Sequence, residues 1–110
     1  MRSDLERIRD IQEAINNIEK YAIQGKAEFF ANELIQSWIL LQLQIIGEAA
    51  RSMAAATHKQ YPKIIWRDII DFRNLLVHEY FRVDLKIIWQ IIEQEIPILK
   101  KQINLILKEE

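Results

Sequence analysis

Trp66-Arg67-Asp68-Ile69-Ile70-Asp71-Phe72-Arg73-Asn74-Leu75-Leu76-Val77-His78-Glu79-Tyr80 is the stretch on which the fold turns. Stepped at about 100° per residue, Trp66, Ile69, Ile70, Leu76, Val77 and Tyr80 gather in one stripe roughly 120° wide. That period is helical. It predicts a helix from about residue 63 through residues 73–80. Arg73 falls in the middle of the stripe. A permanent cation facing a core costs several kcal/mol unless it is paired or the face is not core.

The rest of the chain points the same way. Residues 4–22 place Leu5, Ile8, Ile11, Ile15, Ile18 and Ala22 at helical spacing, with Ser3 or Asp4 as N-cap. Gly25-Lys26 ends that helix. A long helix is expected over residues 28–56. Its apolar residues (Phe29, Phe30, Leu34, Trp38, Leu41, Ile45, Ile46, Ala49, Met53) cover more than one stripe, which suits a central helix or one shared with another subunit. Gly47 within it costs about 1 kcal/mol relative to Ala and marks a close helix crossing.

Residues 58–62 read as a connection, with His58 solvated and Pro62 in the first turn of the next helix. Asp84 reads as an N-cap, with Val83 and Ile88 at staple spacing across it. The last helix aligns Leu85, Ile88, Ile92, Leu99, Ile103 and Ile106. Pro97 lies inside that pattern and must kink or split it. Trp38, Trp66 and Trp89 are expected in the core. The architecture is an all-α, up-and-down bundle of four to five helices, one domain over residues 1–110, with apolar arcs broad enough to make a homodimer.

Composition narrows the function. Gly and Pro number only two each and Cys is absent, which excludes a disulfide frame and thiolate chemistry. The charged start of the chain lacks an apolar signal region. The longest uncharged run, residues 34–47, is too short and too polar to span a bilayer, so a cytoplasmic protein with no membrane partner is expected. Net charge is −1, but residues 51–86 hold seven Lys/Arg against four acids. Positive charge thus collects around Arg73, as a phosphate-binding patch requires.

Arg73, His78 and Tyr80 carry the chemistry that the pattern allows. His moves protons near neutral pH, and Arg offers a rigid fork of donors to phosphate oxygens. Together they suit metal-free RNA cleavage, in which the 2′-hydroxyl of the substrate is the nucleophile. On an ideal helix His78 lies about 140° around from Arg73, so either the helix ends near His78 or the site joins two subunits. Purely structural roles stand beside these: Arg73 as an ion-pair partner of Glu48, His78 as a surface or capping residue, Tyr80 as a core residue with a bonded hydroxyl. There is no Gly-rich phosphate loop and no metal-ligand cluster, so neither a metal nor a cofactor is expected.

The segment Arg73-Asn74-Leu75-Leu76-Val77-His78-Glu79-Tyr80 resembles the R-x4-H-x-Y signature of HepT-like toxins of the HEPN superfamily. Ile45-Ile46-Gly47-Glu48-Ala49-Ala50 resembles the IGEA segment of that family, and Tyr61-Pro62-Lys63-Ile64-Ile65-Trp66-Arg67 its P-x-I-x-W-R lead-in. Val83-Asp84, Ile88-Trp89 and Ile96-Pro97-Ile98-Leu99 resemble its downstream pieces. The likeness covers about residues 28–107 in order.

The resemblance implies a dimeric, usually metal-independent ribonuclease acting on tRNA or mRNA. Its partner is an MNT-type nucleotidyltransferase antitoxin, which uses ATP to AMPylate the motif tyrosine. Arg73 and His78 are then catalytic, Tyr80 the modified residue, and Asn74 and Glu48 supporting. Seven residues apart, Arg73 and Tyr80 are expected on one helix face. Arg82, Asn32 and Ser37 depart from the family pattern without touching these positions. The reading of another class is a non-catalytic helical module that docks a nucleotidyltransferase or presents a nucleotide to it.

Overall fold

The computed structural model describes residues 2–109, and within them every regular element is helical. Helix α1 (Asp4–Ala22) begins where Ser3 and Glu6 close a capping box. The Ser3 hydroxyl accepts from the Glu6 N–H at 3.1 Å, and the Glu6 carboxylate accepts from the Ser3 N–H at 3.3 Å. Ile8, Ile11, Ile15 and Ile18 then form a buried stripe. Gly25 turns the chain at φ 97°, a conformation that side chains resist.

The long helix expected over residues 28–56 is three helices: α2 (Lys26–Ala31), α3 (Glu33–Ser52) and α4 (Ala55–Gln60). Asn32 makes the first break. Its backbone is extended, and its side-chain oxygen caps α3 by accepting from the N–H groups of Leu34 and Ile35 at 3.0 and 3.3 Å. Gln36 bonds back to the free carbonyls of Phe29 and Phe30 at the end of α2. Met53 makes the second break, again with extended backbone.

Helix α5 (Trp66–His78) starts later and ends earlier than its apolar period predicts. Pro62 therefore lies in the connection ahead of α5 and not in its first turn. Beyond α5 comes a short 3-10 turn, Tyr80–Arg82. Asp84 then caps α6 (Leu85–Gln90) by accepting from Lys86 N–H at 2.9 Å. A π-helical turn, Ile91–Glu95, joins α6 to α7 (Ile96–Lys108). Pro97 lacks the N–H that an α-helix needs there. The chain responds by widening the preceding turn, with Ile96 N–H bonding to Ile91 O five residues back. Backbone angles stay helical throughout, so α6 and α7 form one bulged rod rather than two separate helices.

Four long elements, α1, α3, α5 and the α6–α7 rod, make the up-and-down bundle, with α2 and α4 as short additions. Asp4 meets Ala54 while Asn17 meets Gln42, so α1 and α3 run antiparallel. Ala50 lies near His58 and Trp66, while Gly47 lies on Arg73, so α5 runs against α3. Gln12 meets Asn104 and Glu19 meets Lys100, so α7 runs against α1. Among the described residues no helix is long and apolar enough to cross a membrane.

Two expectations about single residues change. His58 is not solvated in a loop. It sits in α4, stacks on Trp66 at 4.9 Å between ring centres, and bonds through Nε2 to Ala50 O at 2.8 Å. Trp66 and Trp89 are buried, but Trp38 is partly exposed, held by Tyr21 edge-on and by a bond to Asn17 O.

Candidate active site at the α3–α5 crossing

Gly47 lets α5 approach α3 closely. A Cβ on residue 47 would collide with Cβ and Cγ of Arg73, so the Arg73 stem occupies the place of the missing side chain. That contact fixes where the guanidinium group emerges. Its Nη2 lies 2.8 Å from Glu48 Oε2, and its Nη1 donates to Asn74 Oδ1 at 3.1 Å. The Arg73 side chain is only 15% exposed, so a missing counter-charge would be costly. Glu48, half exposed on the neighbouring helix, supplies it. Arg73 Nε is buried without a hydrogen-bond partner. The anomaly in the apolar stripe is thus resolved locally: the cation sits at a helix crossing, between core and surface.

Arg51, which the sequence did not single out, belongs to the same cluster. Its Nη1 lies 3.9 Å from the Glu48 oxygen that Arg73 also faces. Its signal was the three-residue step from Glu48 along one helix.

His78 is the last residue of α5 and is exposed. Glu79 leaves the helix at φ −134°, ψ 38°, while its N–H still bonds to Leu75 O at 2.8 Å. The helix therefore does end at His78, one of the two solutions the geometry allowed. Yet His78 is still helical, and no hydrogen bond joins it to Arg73.

Tyr80 follows outside the helix. The expectation that it shares a face with Arg73 fails because α5 stops two residues before it. The core reading of Tyr80 fails as well, since the residue is 60% exposed. Arg82 lies 3.7 Å from Glu79 and is exposed, one turn along.

The structure thus joins Arg73, Glu48 and Asn74 directly, and places His78 as the last residue of α5 with Tyr80 in the 3-10 turn that follows. Among the described residues no group of three His, Cys, Asp or Glu could hold a metal ion. A cleft of about 380 Å³ opens between α5 and α7 over Leu43 and Ile46, and none of the site residues lines it.

A family model for HepT-like ribonucleases matches residues 11–106. The chain belongs to the HepT-like ribonuclease family. The span matched by the HepT-like model contains every residue of the site. A protein of Thermococcus cleftensis named "Probable ribonuclease HepT" is 34% identical over 100 residues, covering 90% of this chain and 91% of its own length. A Caldanaerobacter subterraneus protein provisionally named an RNase is 35% identical over 100 residues, covering 91% and 89%. Another so named, from Methanocaldococcus jannaschii, is 30% identical over 98 residues, covering 88% and 90%. No solved structure matches the chain. For a HepT-like chain, the all-α bundle agrees with the fold expected from the motifs.

Proposed function

We propose that this chain is the toxin of a type VII-like toxin–antitoxin pair. It is a metal-independent RNA endonuclease in which Arg73 and His78 act at a dimer cleft. A partner MNT-type nucleotidyltransferase neutralises it by placing AMP on Tyr80. The observation that carries the reading is the placement of Arg73 by Gly47 and Glu48: a guanidinium held in a defined pose at the edge of the core, inside the family motif.

In the reaction, the ribose 2′-oxygen attacks the adjacent phosphorus and the bond to the 5′-oxygen breaks. The products are a 2′,3′-cyclic phosphate and a 5′-hydroxyl. Arg73 donates to the non-bridging oxygens as charge builds on them. His78 takes the 2′-hydroxyl proton or gives one to the leaving oxygen. One imidazole fills one of these roles in a single step. A two-fold dimer brings two Arg-His sets to one cleft and so fills both.

The surface of α3 supports such a dimer. Leu34, Trp38, Leu41 and Ile45 are exposed at steps of four, three and four residues, from 36% for Trp38 to 82% for Leu34. That spacing is the seam of paired helices. Glu48 lies three residues beyond Ile45, so the seam leads directly to the Arg73 pair.

Silencing follows from exposure. The Tyr80 oxygen attacks the α-phosphorus of ATP, the α–β bond breaks, pyrophosphate leaves and the phenolic proton is lost. The product carries a bulky anion two residues from His78, where it blocks RNA phosphate by size and by charge.

The docking-module reading is favoured by one observation, that Glu48 and Asn74 already occupy Arg73. Cleavage assays separate the two. Purified protein is incubated with tRNA and mRNA in EDTA, beside Arg73→Ala and His78→Ala. The nuclease reading expects cleavage by the unsubstituted chain alone. If that chain is as inert as both variants on every RNA, the docking module stands instead.

A further inference from the structure

We propose that Arg51 is a second phosphate-binding residue, seating the RNA phosphate next to the one that Arg73 holds. This rests on the ribonuclease reading above. Arg51 Nη1 and Arg73 Nη2 face the same carboxylate oxygen of Glu48, at 3.9 and 2.8 Å. Two guanidinium groups thus stand side by side with one carboxylate between them, and the cluster keeps a net positive charge.

The two cations are held differently. Arg73 is mostly buried, with Glu48 and Asn74 both engaged and its stem set against Gly47. Arg51 is 55% exposed, at the outer limit of an ion pair, with no other partner among the described residues. An exposed pair of that kind contributes about 0–1 kcal/mol. A phosphate oxygen can therefore take Arg51 from Glu48 at little cost while Arg73 stays in place. Glu48 is the positioning residue: it orients the buried guanidinium and keeps the outer one beside it.

A single strand of RNA presents consecutive phosphate anions. A pair of adjacent cations fits such a chain better than it fits an isolated phosphate. One cation, Arg73, meets the scissile phosphate; the other, Arg51, adds binding without touching the reacting bond. Arg51 therefore governs affinity, and the chemical step does not depend on it.

The test uses a fluorescent 2′-O-methyl RNA oligonucleotide, whose blocked nucleophile prevents cleavage. Its binding is followed by anisotropy across a salt series, with unmodified RNA assayed for cleavage in parallel. Arg51→Ala, Arg51→Lys and Arg73→Ala are compared with the unsubstituted chain, and thermal melts check that each folds. Arg51→Ala is expected to raise Kd and KM several-fold with kcat nearly unchanged. The slope of log affinity against log salt should flatten by about 0.7, the loss of one single-strand phosphate contact. Arg51→Lys should restore the slope. If the unsubstituted chain binds and cleaves while Arg51→Ala keeps the same slope and Kd, the proposal is wrong. A fall in kcat with KM unchanged would also overturn it. If the unsubstituted chain neither binds nor cleaves, the ribonuclease reading falls first.

Discussion

Arg73 fills the space that a side chain on Gly47 would need, so one contact between α3 and α5 fixes both the helix spacing and the guanidinium pose. A methyl group at position 47 meets Cβ and Cγ of Arg73, and lies 3.3 Å from its Cα. These atoms sit at the root of the side chain and cannot swing aside. Gly47→Ala gains about 1 kcal/mol of helix propensity but overpacks the crossing, which typically costs about 1–3 kcal/mol. The expected outcome is a lower melting temperature, together with a larger loss of RNA cleavage than the melt accounts for. Unchanged stability and activity would show that the crossing is not tight.

The seam on α3 sets a test of assembly. Leu41 lies at its centre and is 48% exposed in the single chain. Leu41→Glu places a charge where a second copy would bury an aliphatic side chain. By light scattering, the unsubstituted protein should have the mass of a dimer and Leu41→Glu that of a folded monomer without cleavage activity. A monomeric unsubstituted protein that still cleaves RNA would rule out the shared cleft.

Acid should loosen the joint between α1 and α4. The Thr57 hydroxyl, above all, holds the Asp4 carboxyl below its usual range, helped by Ala54 N–H and by Arg7, against an opposing effect of burial. A depressed carboxyl binds fewer protons folded than unfolded, so stability rises with pH across the window. The contribution is complete above the unfolded value, near 3.8, and is lost as pH falls through the lower folded value. Chemical denaturation should therefore show a slope of stability against pH below about pH 4. Asp4→Asn should flatten that slope and lower the midpoint at neutral pH. An identical slope in the variant would assign the effect to other carboxyls.

Some of this was legible in the residues and some was not. The first helix was, because Ser3, Glu6 and the Ile8–Ile18 spacing all mark the same boundaries. The Arg73–Glu48 pair was, because a core-facing cation demands a counter-charge and Glu48 lay on the neighbouring helix. The break at Asn32 was not: apolar periodicity runs through it, and only two side-chain hydrogen bonds decide it. The end of α5 was half legible, as one of two ways to reconcile the angle between Arg73 and His78. No Gly or Pro marks residue 79, and the apolar stripe continues to Tyr80, although the helix does not. His58 carries no periodic signal at all. Its role appears only when folding lays Trp66 over it.

The exposure of Tyr80 makes the modification reading sharp. The residue lies beyond α5 in the exposed 3-10 turn, and a surface residue of this kind tolerates Tyr→Phe within about 0.5 kcal/mol. Tyr80→Phe should therefore keep the melting temperature and RNA cleavage of the unsubstituted chain. Incubated with the partner nucleotidyltransferase and ATP, it should gain no AMP by intact mass and stay active, while the unsubstituted chain is modified and silenced. Tyr21 and Tyr61 are the other two tyrosines. Both are half-buried against the core, and Tyr21 is also edge-on to Trp38. Access alone thus favours Tyr80 as acceptor. Peptide mapping that finds AMP on Tyr21 or Tyr61, or continued modification of Tyr80→Phe, would remove Tyr80 from the mechanism and leave the Arg73 and His78 predictions untouched.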